Sequence, residues 1–246
     1  MDKIDKKPFF QKVLKTLLKK YYYTSYNKKE IRFSERRMKF ETGLFDMDGT
    51  LIDSSKAILS SVKEAARITG LRIPTDKEIK AIIHLPSQLS FKILYPDIEP
   101  DEFDSVFLSL MRGKFKNMIG EIPKARMTLE LIREKGIKIG IVTTKDKLSA
   151  EESIRSFQFP CNLLLTADDT ERTRPDPEPL LKAIEILNST PLQTIYCGDT
   201  PQDIVQGKRA GVKTIGVTTG LHSKVELEKE KPDFVFDNID AVLNIL

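Results

Sequence analysis

The chain has 246 residues, of which 40 are Lys or Arg and 36 are Asp or Glu, so its formal net charge is +4. This length accommodates one or two domains, and 40% apolar residues exclude a wholly disordered chain. The charge is unevenly divided: residues 1–40 carry 13 basic and 4 acidic side chains, a net of +9, whereas residues 41–246 carry 27 and 32, a net of −5. A basic arm therefore precedes a mildly acidic body.

Composition excludes several classes of protein. No apolar stretch approaches the roughly 18 residues that span a bilayer. The best N-terminal apolar run, residues 13–18, is interrupted by Lys15 and lacks the cleavage site of a secretory signal. The two cysteines, Cys161 and Cys197, lie among apolar residues, so we expect reduced thiols in a cytoplasmic protein. Two histidines are too few for a histidine-rich metal site.

The arm, residues 1–40, contains one segment with helical periodicity. Within residues 9–23 the apolar side chains share one face, and Lys12, Lys15 and Lys19 lie opposite, which predicts a basic amphipathic helix. Such a helix suits peripheral contact with an anionic membrane or with another protein, and no nucleic acid is expected as a partner. The alternative is an arm without a function, or an upstream extension that precedes Met38.

From about Glu41 onward, apolar strand patterns alternate with helical periodicity. Strands are predicted at Gly43–Met47, Ile137–Val142, Asn162–Leu165, Thr194–Cys197, Lys213–Val217 and Asp233–Phe236. Helices are predicted at Arg126–Lys135, Lys147–Phe157, Glu178–Leu187, Pro201–Ala210, His222–Lys229 and Ile239–Leu246. This alternation predicts an α/β domain with a parallel sheet that helices cover on both faces.

One segment, residues 54–119, breaks the alternation with helical patterns and no convincing strand. Its predicted helices are Ser54–Thr69, Asp76–His84, Ser87–Leu94 and Asp101–Asn117. An all-helical insertion after the first strand is typical of a lid domain. We therefore expect a core domain of residues 41–53 and 120–246, and a helical cap domain of residues 54–119.

Polar side chains follow three of the predicted strands at their carboxyl ends. They are Asp46 and Asp48, Thr143 and Thr144, and Asp199 with Asp203. In open α/β sheets, ligands bind at this edge. The three carboxylates of Asp46, Asp48 and Asp199 would repel one another unless a hard cation lay between them. Mg²⁺ prefers such oxygen ligands.

Simpler interpretations explain only part of this pattern. Asp48 and Gly49 alone are compatible with a plain turn, but Asp46 also follows the same strand. A calcium-binding EF-hand loop requires Gly at its sixth position and Glu at its twelfth, where this chain has Leu51 and Ala57. The chain also contains neither a P-loop nor a Gly-x-Gly-x-x-Gly motif.

Four motifs stand out in the chain, namely Phe45–Ser54, Ile141–Lys145, Arg174–Pro179 and Gly198–Ile204. Together they resemble the motifs of the haloacid dehalogenase superfamily, in its phosphoglycolate phosphatase-like branch. The helical insertion resembles the C1 cap of that family. The resemblance covers about residues 41–246 and implies a Rossmann-like, doubly wound parallel sheet with an inserted, mobile, all-helical cap.

The resemblance also implies a Mg²⁺-dependent phosphatase that acts on a small phosphorylated substrate. Asp46 would be the nucleophile that forms an aspartyl-phosphate, and Asp48 the general acid and base. The metal would be held by Asp46, Asp199 and the backbone carbonyl of Asp48, and Asp203 would support the site from behind these ligands.

Thr143, Thr144 and Arg174 would bind the phosphoryl group. The family usually has Lys where Arg174 stands, so the charge is kept but its shape differs.

Several alternatives stay open at this point. Phosphoglycolate, pyrophosphate and small sugar phosphates all fit the motifs. A phosphomutase of the β-phosphoglucomutase type uses the same carboxylates, and a catalytically weak binding protein with this fold is a third interpretation. The sequence does not indicate the oligomeric state.

Overall fold

The computed structural model describes residues 40–246. Six strands form one parallel sheet, and they are β1 (Thr42–Phe45), β4 (Lys138–Val142), β5 (Leu163–Leu165), β6 (Thr194–Gly198), β7 (Lys213–Val217) and β8 (Phe234–Phe236). Their order across the sheet is β5-β4-β1-β6-β7-β8. The predicted α/β fold with a parallel sheet is confirmed.

Helices cover both faces of this sheet. Leu44 and Phe45 are adjacent in β1 and point to opposite faces, as side chains of a strand do. Phe45 packs in an apolar cluster with α5 (Ala125–Glu134) and α6 (Lys147–Phe157). Leu44 packs in a second cluster with α7 (Glu178–Ile186) and α8 (Pro201–Ala210). The two clusters make the fold doubly wound, as a Rossmann-like sheet is.

The C-terminal end of the sheet departs from the predicted bounds. The helix predicted from His222 is α9 (Lys224–Lys229), and it begins later because the Ser223 side chain accepts a hydrogen bond from Glu226 N and so caps it. The last predicted helix is a 3₁₀ helix, Ile239–Asn244. The bounds of α6 and α8 are those predicted.

Four helices lie between β2 (Ile52–Asp53) and β3 (Gly120–Glu121). They are α1 (Ser55–Ile68), α2 (Asp76–Ile82), α3 (Ser87–Leu94) and α4 (Pro100–Arg112). They enclose an apolar cluster of their own, in which the Phe91 ring meets Phe103 and Phe107 edge-on at centroid distances of 4.5 and 5.1 Å. The fourth helix ends at Arg112, before Gly113, and a 3₁₀ turn at Lys116–Met118 follows.

The ribbon of β2 and β3 was not expected from the sequence. Asp53 pairs with Gly120 and Ile52 with Glu121 in an antiparallel register. Strands of two residues are too short to show a period. The ribbon places the two connections to the helical insertion side by side. The division into a core domain and a cap of residues 54–119 stays a prediction.

The predicted amphipathic helix of residues 9–23, and the arm up to residue 39, lie outside the described residues. Among residues 40–246, no helix has the length and apolar character that crossing a membrane requires.

Candidate active site

Three buried carboxylates converge at the carboxyl edge of the sheet. Asp46 follows β1 and Asp199 follows β6, which are neighbouring strands, and Asp46 N donates to Cys197 O at 2.9 Å. Oxygen atoms of Asp46, Asp199 and Asp203 lie within 4.8 Å of one another. The three residues are almost fully buried, with exposures of 1%, 4% and 0%. The convergence that the sequence predicts at this edge is therefore present for Asp46 and Asp199.

Burial and mutual repulsion disfavour the charged forms of these carboxylates. Burial raises the pKa of Asp46 to about 7, and the nearby charges of Asp203 and Asp48 act in the same direction, against the lowering effect of Arg174. The pKa of Asp199 is raised well above its usual value by burial and then by Asp46. At neutral pH such a pair needs either protons or a cation. An all-oxygen set of this kind is the donor chemistry that fits Mg²⁺.

Two glycines allow the backbone to approach the Asp199 carboxylate closely. A Cβ atom added to either Gly49 or Gly220 would overlap the carboxylate of Asp199. Gly49 has a φ of +87°, which other residues rarely adopt. Thr50 Oγ1 donates to Asp199 Oδ1 at 3.3 Å. The backbone thus approaches the carboxylate from two sides. The sequence does not predict the contact of Gly220 with Asp199, because nothing in the local pattern of Gly220 connects the two residues.

Arg174 joins two carboxylates at the bottom of the site. Its side chain is 5% exposed, Nη2 donates to Asp46 Oδ1 at 2.6 Å, and Nη1 donates to Asp203 Oδ1 at 2.7 Å. Nη2 also lies 3.4 Å from Thr144 Oγ1. A planar guanidinium can bind two carboxylates at once, whereas a lysine ammonium is a single point charge. The residue that departs from the family pattern therefore makes contacts that depend on its shape.

Asp203 is saturated with hydrogen bonds. Its Oδ1 accepts from Arg174 and from Tyr196 Oη at 2.7 Å, and its Oδ2 accepts from Thr200 N at 3.0 Å and Thr200 Oγ1 at 2.6 Å. Four donors occupy the accepting directions of its two oxygens. Asp203 therefore has no oxygen left over for a cation, although it lies within the cluster. Tyr196 lies in the middle of β6, and its neighbours in the sequence do not indicate a role at this site.

The Asp48 carboxylate is held separately from the three-carboxylate cluster. Lys145 Nζ lies 3.0 Å from Asp48 Oδ1 and 3.1 Å from Oδ2, and Ser54 Oγ donates to Oδ1 at 2.5 Å. Because the carboxylate has these partners, Asp48 would bind a metal through its backbone carbonyl oxygen. This role stays a prediction. Lys145 belongs to the Ile141–Lys145 motif, which by itself predicts no role for this side chain. In the structure Lys145 pairs with Asp48, the expected general acid and base.

The two threonines after β4 occupy different positions. Thr144 lines the cavity described below and donates to the backbone oxygen of His84 at 3.5 Å. Thr143 is buried behind it, and its Oγ1 accepts from Lys145 N at 3.2 Å. Thr143 is not on the cavity wall, so its predicted contact with phosphate stays a prediction.

A cavity of about 410 Å³ lies above the carboxylates. Its floor contains Asp46, Asp48, Arg174 and Asp199, and its other walls come from the helical insertion, from α6 and from the loop after β7. A ligand bound there would contact the edge of the sheet and the insertion together, which is how pockets between two layers bind small molecules.

Comparisons with known proteins agree with this geometry. A family model described as haloacid dehalogenase-like hydrolase matches residues 44–217. The pyrophosphatase PpaX of Anoxybacillus flavithermus is 32% identical over 214 residues, which cover 85% of this chain and 98% of that protein. PpaX of Bacillus mycoides is 32% identical over 212 residues, with the same two coverages of 85% and 98%.

Solved structures share the fold. A protein from Bacteroides fragilis, described as a haloacid dehalogenase-like hydrolase, has a TM-score of 0.75 at 28% identity and covers 83% of this chain and 100% of its own. A predicted phosphoglycolate phosphatase from Haemophilus somnus has a TM-score of 0.72 at 22% identity, with coverages of 84% and 97%. The chain belongs to the haloacid dehalogenase-like hydrolase family.

Proposed function

We propose that this protein is a Mg²⁺-dependent phosphatase that hydrolyses a small phosphorylated metabolite through an aspartyl-phosphate on Asp46. The observation that carries the proposal is the arrangement around Asp46. Arg174 binds its Oδ1, and within residues 40–246 no other hydrogen bond is made to this carboxylate, so Oδ2 is available on the cavity floor. The similarity to proteins named pyrophosphatase supports a phosphate compound as the substrate.

The first half of the reaction transfers the phosphoryl group to the protein. Asp46 Oδ2 attacks phosphorus in line, and the bond between phosphorus and the leaving oxygen breaks. Protonated Asp48 gives its proton to the leaving oxygen, while Lys145 and Ser54 hold its carboxyl group in position. Arg174 and Thr144 bind the phosphoryl oxygens.

The second half returns the protein to its starting state. A water molecule attacks the phosphorus of the aspartyl-phosphate, and ionised Asp48 takes a proton from this water. The bond between phosphorus and Asp46 breaks, inorganic phosphate leaves, and Asp48 is protonated again. One ester and one water give one alcohol and one phosphate.

Asp46, Asp199 and the Asp48 backbone carbonyl are the groups that would hold Mg²⁺. The bound ion would neutralise the charge that otherwise keeps an anionic nucleophile away from an anionic phosphate. The structure supports this because two buried carboxylates with raised pKa values lie together.

Phosphate release from a panel of phosphorylated metabolites tests the function. We expect release in Mg²⁺ and none in excess chelator for at least one compound. If no compound released phosphate, the proposed phosphatase function would be contradicted. The interpretation as a catalytically weak binding protein would then be favoured. Isomerisation of a sugar phosphate without net release would instead indicate the phosphomutase.

The Gly220→Ala variant tests the placement of Asp199. The added Cβ would displace the carboxylate, so we expect Mg²⁺ to bind about 10–100-fold more weakly, as measured by calorimetry. Gly120→Ala is the matched control, because its Cβ meets nothing within 4 Å and neither glycine has a left-handed backbone. Equal Mg²⁺ affinity in both variants would show that Asp199 does not hold the ion.

The Lys145→Met variant tests the pairing with Asp48. Without the ammonium group the carboxyl group loses two of its contacts, so we expect kcat to fall about 10–100-fold with Mg²⁺ affinity unchanged. Lys147→Met removes the same group two residues away, where the side chain is exposed, and should leave kcat at the wild-type value. If both variants have the same kcat, Lys145 has no part in positioning Asp48.

A further inference from the structure

We propose that the leaving group of the substrate is uncharged and largely apolar, so that the enzyme prefers a phosphate monoester of an apolar alcohol or phenol over pyrophosphate or phosphoglycolate. This inference rests on the proposed phosphatase function and names the substrate class of the same site. It depends on the walls of the cavity and on a count of its charges.

The part of the cavity formed by the helical insertion is mostly apolar. Its apolar lining includes Ile58, Val62, Ile82, Ile83, Leu85 and Leu108, while Ser87, Ser90 and Asn117 are among the polar residues that also line it. A volume of about 410 Å³ is within the range of roughly 300–1,000 Å³ that small-molecule sites show, so an organic group fits beyond the phosphoryl group. Burying apolar surface against these walls would favour an apolar leaving group.

Within the part of the chain that the structure describes, the cations that line the cavity already have anionic partners, with one exception. Lys145 pairs with Asp48, and Arg174 pairs with Asp46 and Asp203. These are the groups that the phosphoryl transfer itself uses.

Arg112, at the end of α4, is also occupied. Its Nη2 lies 2.6 Å from Asp146 Oδ1, and its Nε donates to Ser149 Oγ at 3.2 Å. The exception is Lys116, which is exposed at the rim of the cavity. A second anionic group that does not reach Lys116 would have to break a buried or half-buried pair, which leaves a carboxylate without its partner.

The remaining polar groups add no positive charge. His84 and His222 both line the cavity. Burial and the nearby Arg174 lower the pKa of His84 to about 4, and burial lowers that of His222, so both rings are neutral at pH 7. Away from the metal site, Asp146 and Glu152 line the cavity against Arg112 and Lys116, so this part of the cavity has no net positive charge. A carboxylate or a second phosphate away from the reacting group would therefore gain no net attraction there.

Hydrolysis of a homologous series of esters tests the inference with the full chain and Mg²⁺. The compounds are methyl, propyl and hexyl phosphate, together with pyrophosphate and phosphoglycolate. We expect kcat/KM to rise by about fourfold for each methylene that enters the cavity, and to exceed the values for both anionic compounds by at least about tenfold for hexyl phosphate.

A charge introduced into the apolar wall should reverse this preference. Leu85 lines the cavity and is not part of the apolar cluster of the insertion, so the Leu85→Lys variant should fold. We expect it to flatten the dependence on chain length and to raise kcat/KM for phosphoglycolate relative to hexyl phosphate. Leu89→Lys is the matched control, since Leu89 is 46% exposed on α3 and is not on the cavity wall. It should keep the wild-type preference.

The outcomes separate the two proposals. Higher kcat/KM for pyrophosphate or phosphoglycolate than for hexyl phosphate, or no dependence on chain length, would overturn the inference and leave the phosphatase intact. If none of the compounds released phosphate, both the phosphatase function and the preference for an apolar leaving group would be overturned.

Discussion

Replacing Asp46 by Asn is expected to lower kcat for phosphate release by at least about 10⁴-fold, because an amide cannot form the aspartyl-phosphate. The rest of the site keeps its partners, since Arg174 still binds Asp203 and Lys145 still binds Asp48. The measurement is the steady-state rate of phosphate release with saturating Mg²⁺ and substrate.

Asp53→Asn is the control for the Asp46 variant. Asp53 is exposed, and Asn can still accept the hydrogen bond that Ser55 N donates to Asp53 Oδ1. We expect the wild-type rate from this control. A kcat for Asp46→Asn within about tenfold of wild type would exclude Asp46 as the nucleophile.

Arg174→Ala is expected to impair both stability and turnover. Removing the guanidinium leaves Asp46 and Asp203 buried without their common partner, which should cost about 3–5 kcal/mol of unfolding free energy in the absence of metal. The same change removes a donor from the phosphoryl group, for which a loss of about 10²–10³-fold in kcat is typical. Chemical denaturation and phosphate release measure the two effects.

Two further variants separate the charge of Arg174 from its shape. Arg174→Lys keeps one positive charge but cannot bind both carboxylates as a planar fork, so we expect stability and turnover between those of the wild type and the alanine variant. Arg172→Ala removes a guanidinium from an exposed side chain of the same loop and should change neither. Unchanged turnover and phosphate affinity in Arg174→Lys would show that the shape of the arginine is not used.

Much of the fold was predictable because its strands and helices follow from the periodicity of short sequence segments. The apolar strands and the helices between them have periods that single segments reveal, and the helices α6 and α8 have the predicted bounds. The polar side chains at strand ends predicted the edge where Asp46 and Asp199 meet, since parallel strands end at a common edge.

The features of the site that could not be predicted from the sequence are contacts between residues far apart in the chain. Lys145 reaches Asp48 across 97 positions, and Gly220 meets Asp199 from the loop after β7. Tyr196 supports Asp203 from inside a strand whose apolar pattern gives no indication of a polar role. Such pairings depend on how the loops fold over the sheet, which no local period encodes. The motifs predicted that Arg174 would be near the phosphate, but not that it would bind two carboxylates.

Mass spectrometry of acid-quenched protein during turnover tests whether Asp46 is the nucleophile. In Mg²⁺ and with a substrate that releases phosphate, we expect the peptide containing Asp46 to gain the mass of one phosphoryl group. We expect this adduct to be absent from the Asp46→Asn variant. A phosphorylated residue other than Asp46 during turnover, or rapid release without any adduct on the wild-type chain, would contradict this role of Asp46.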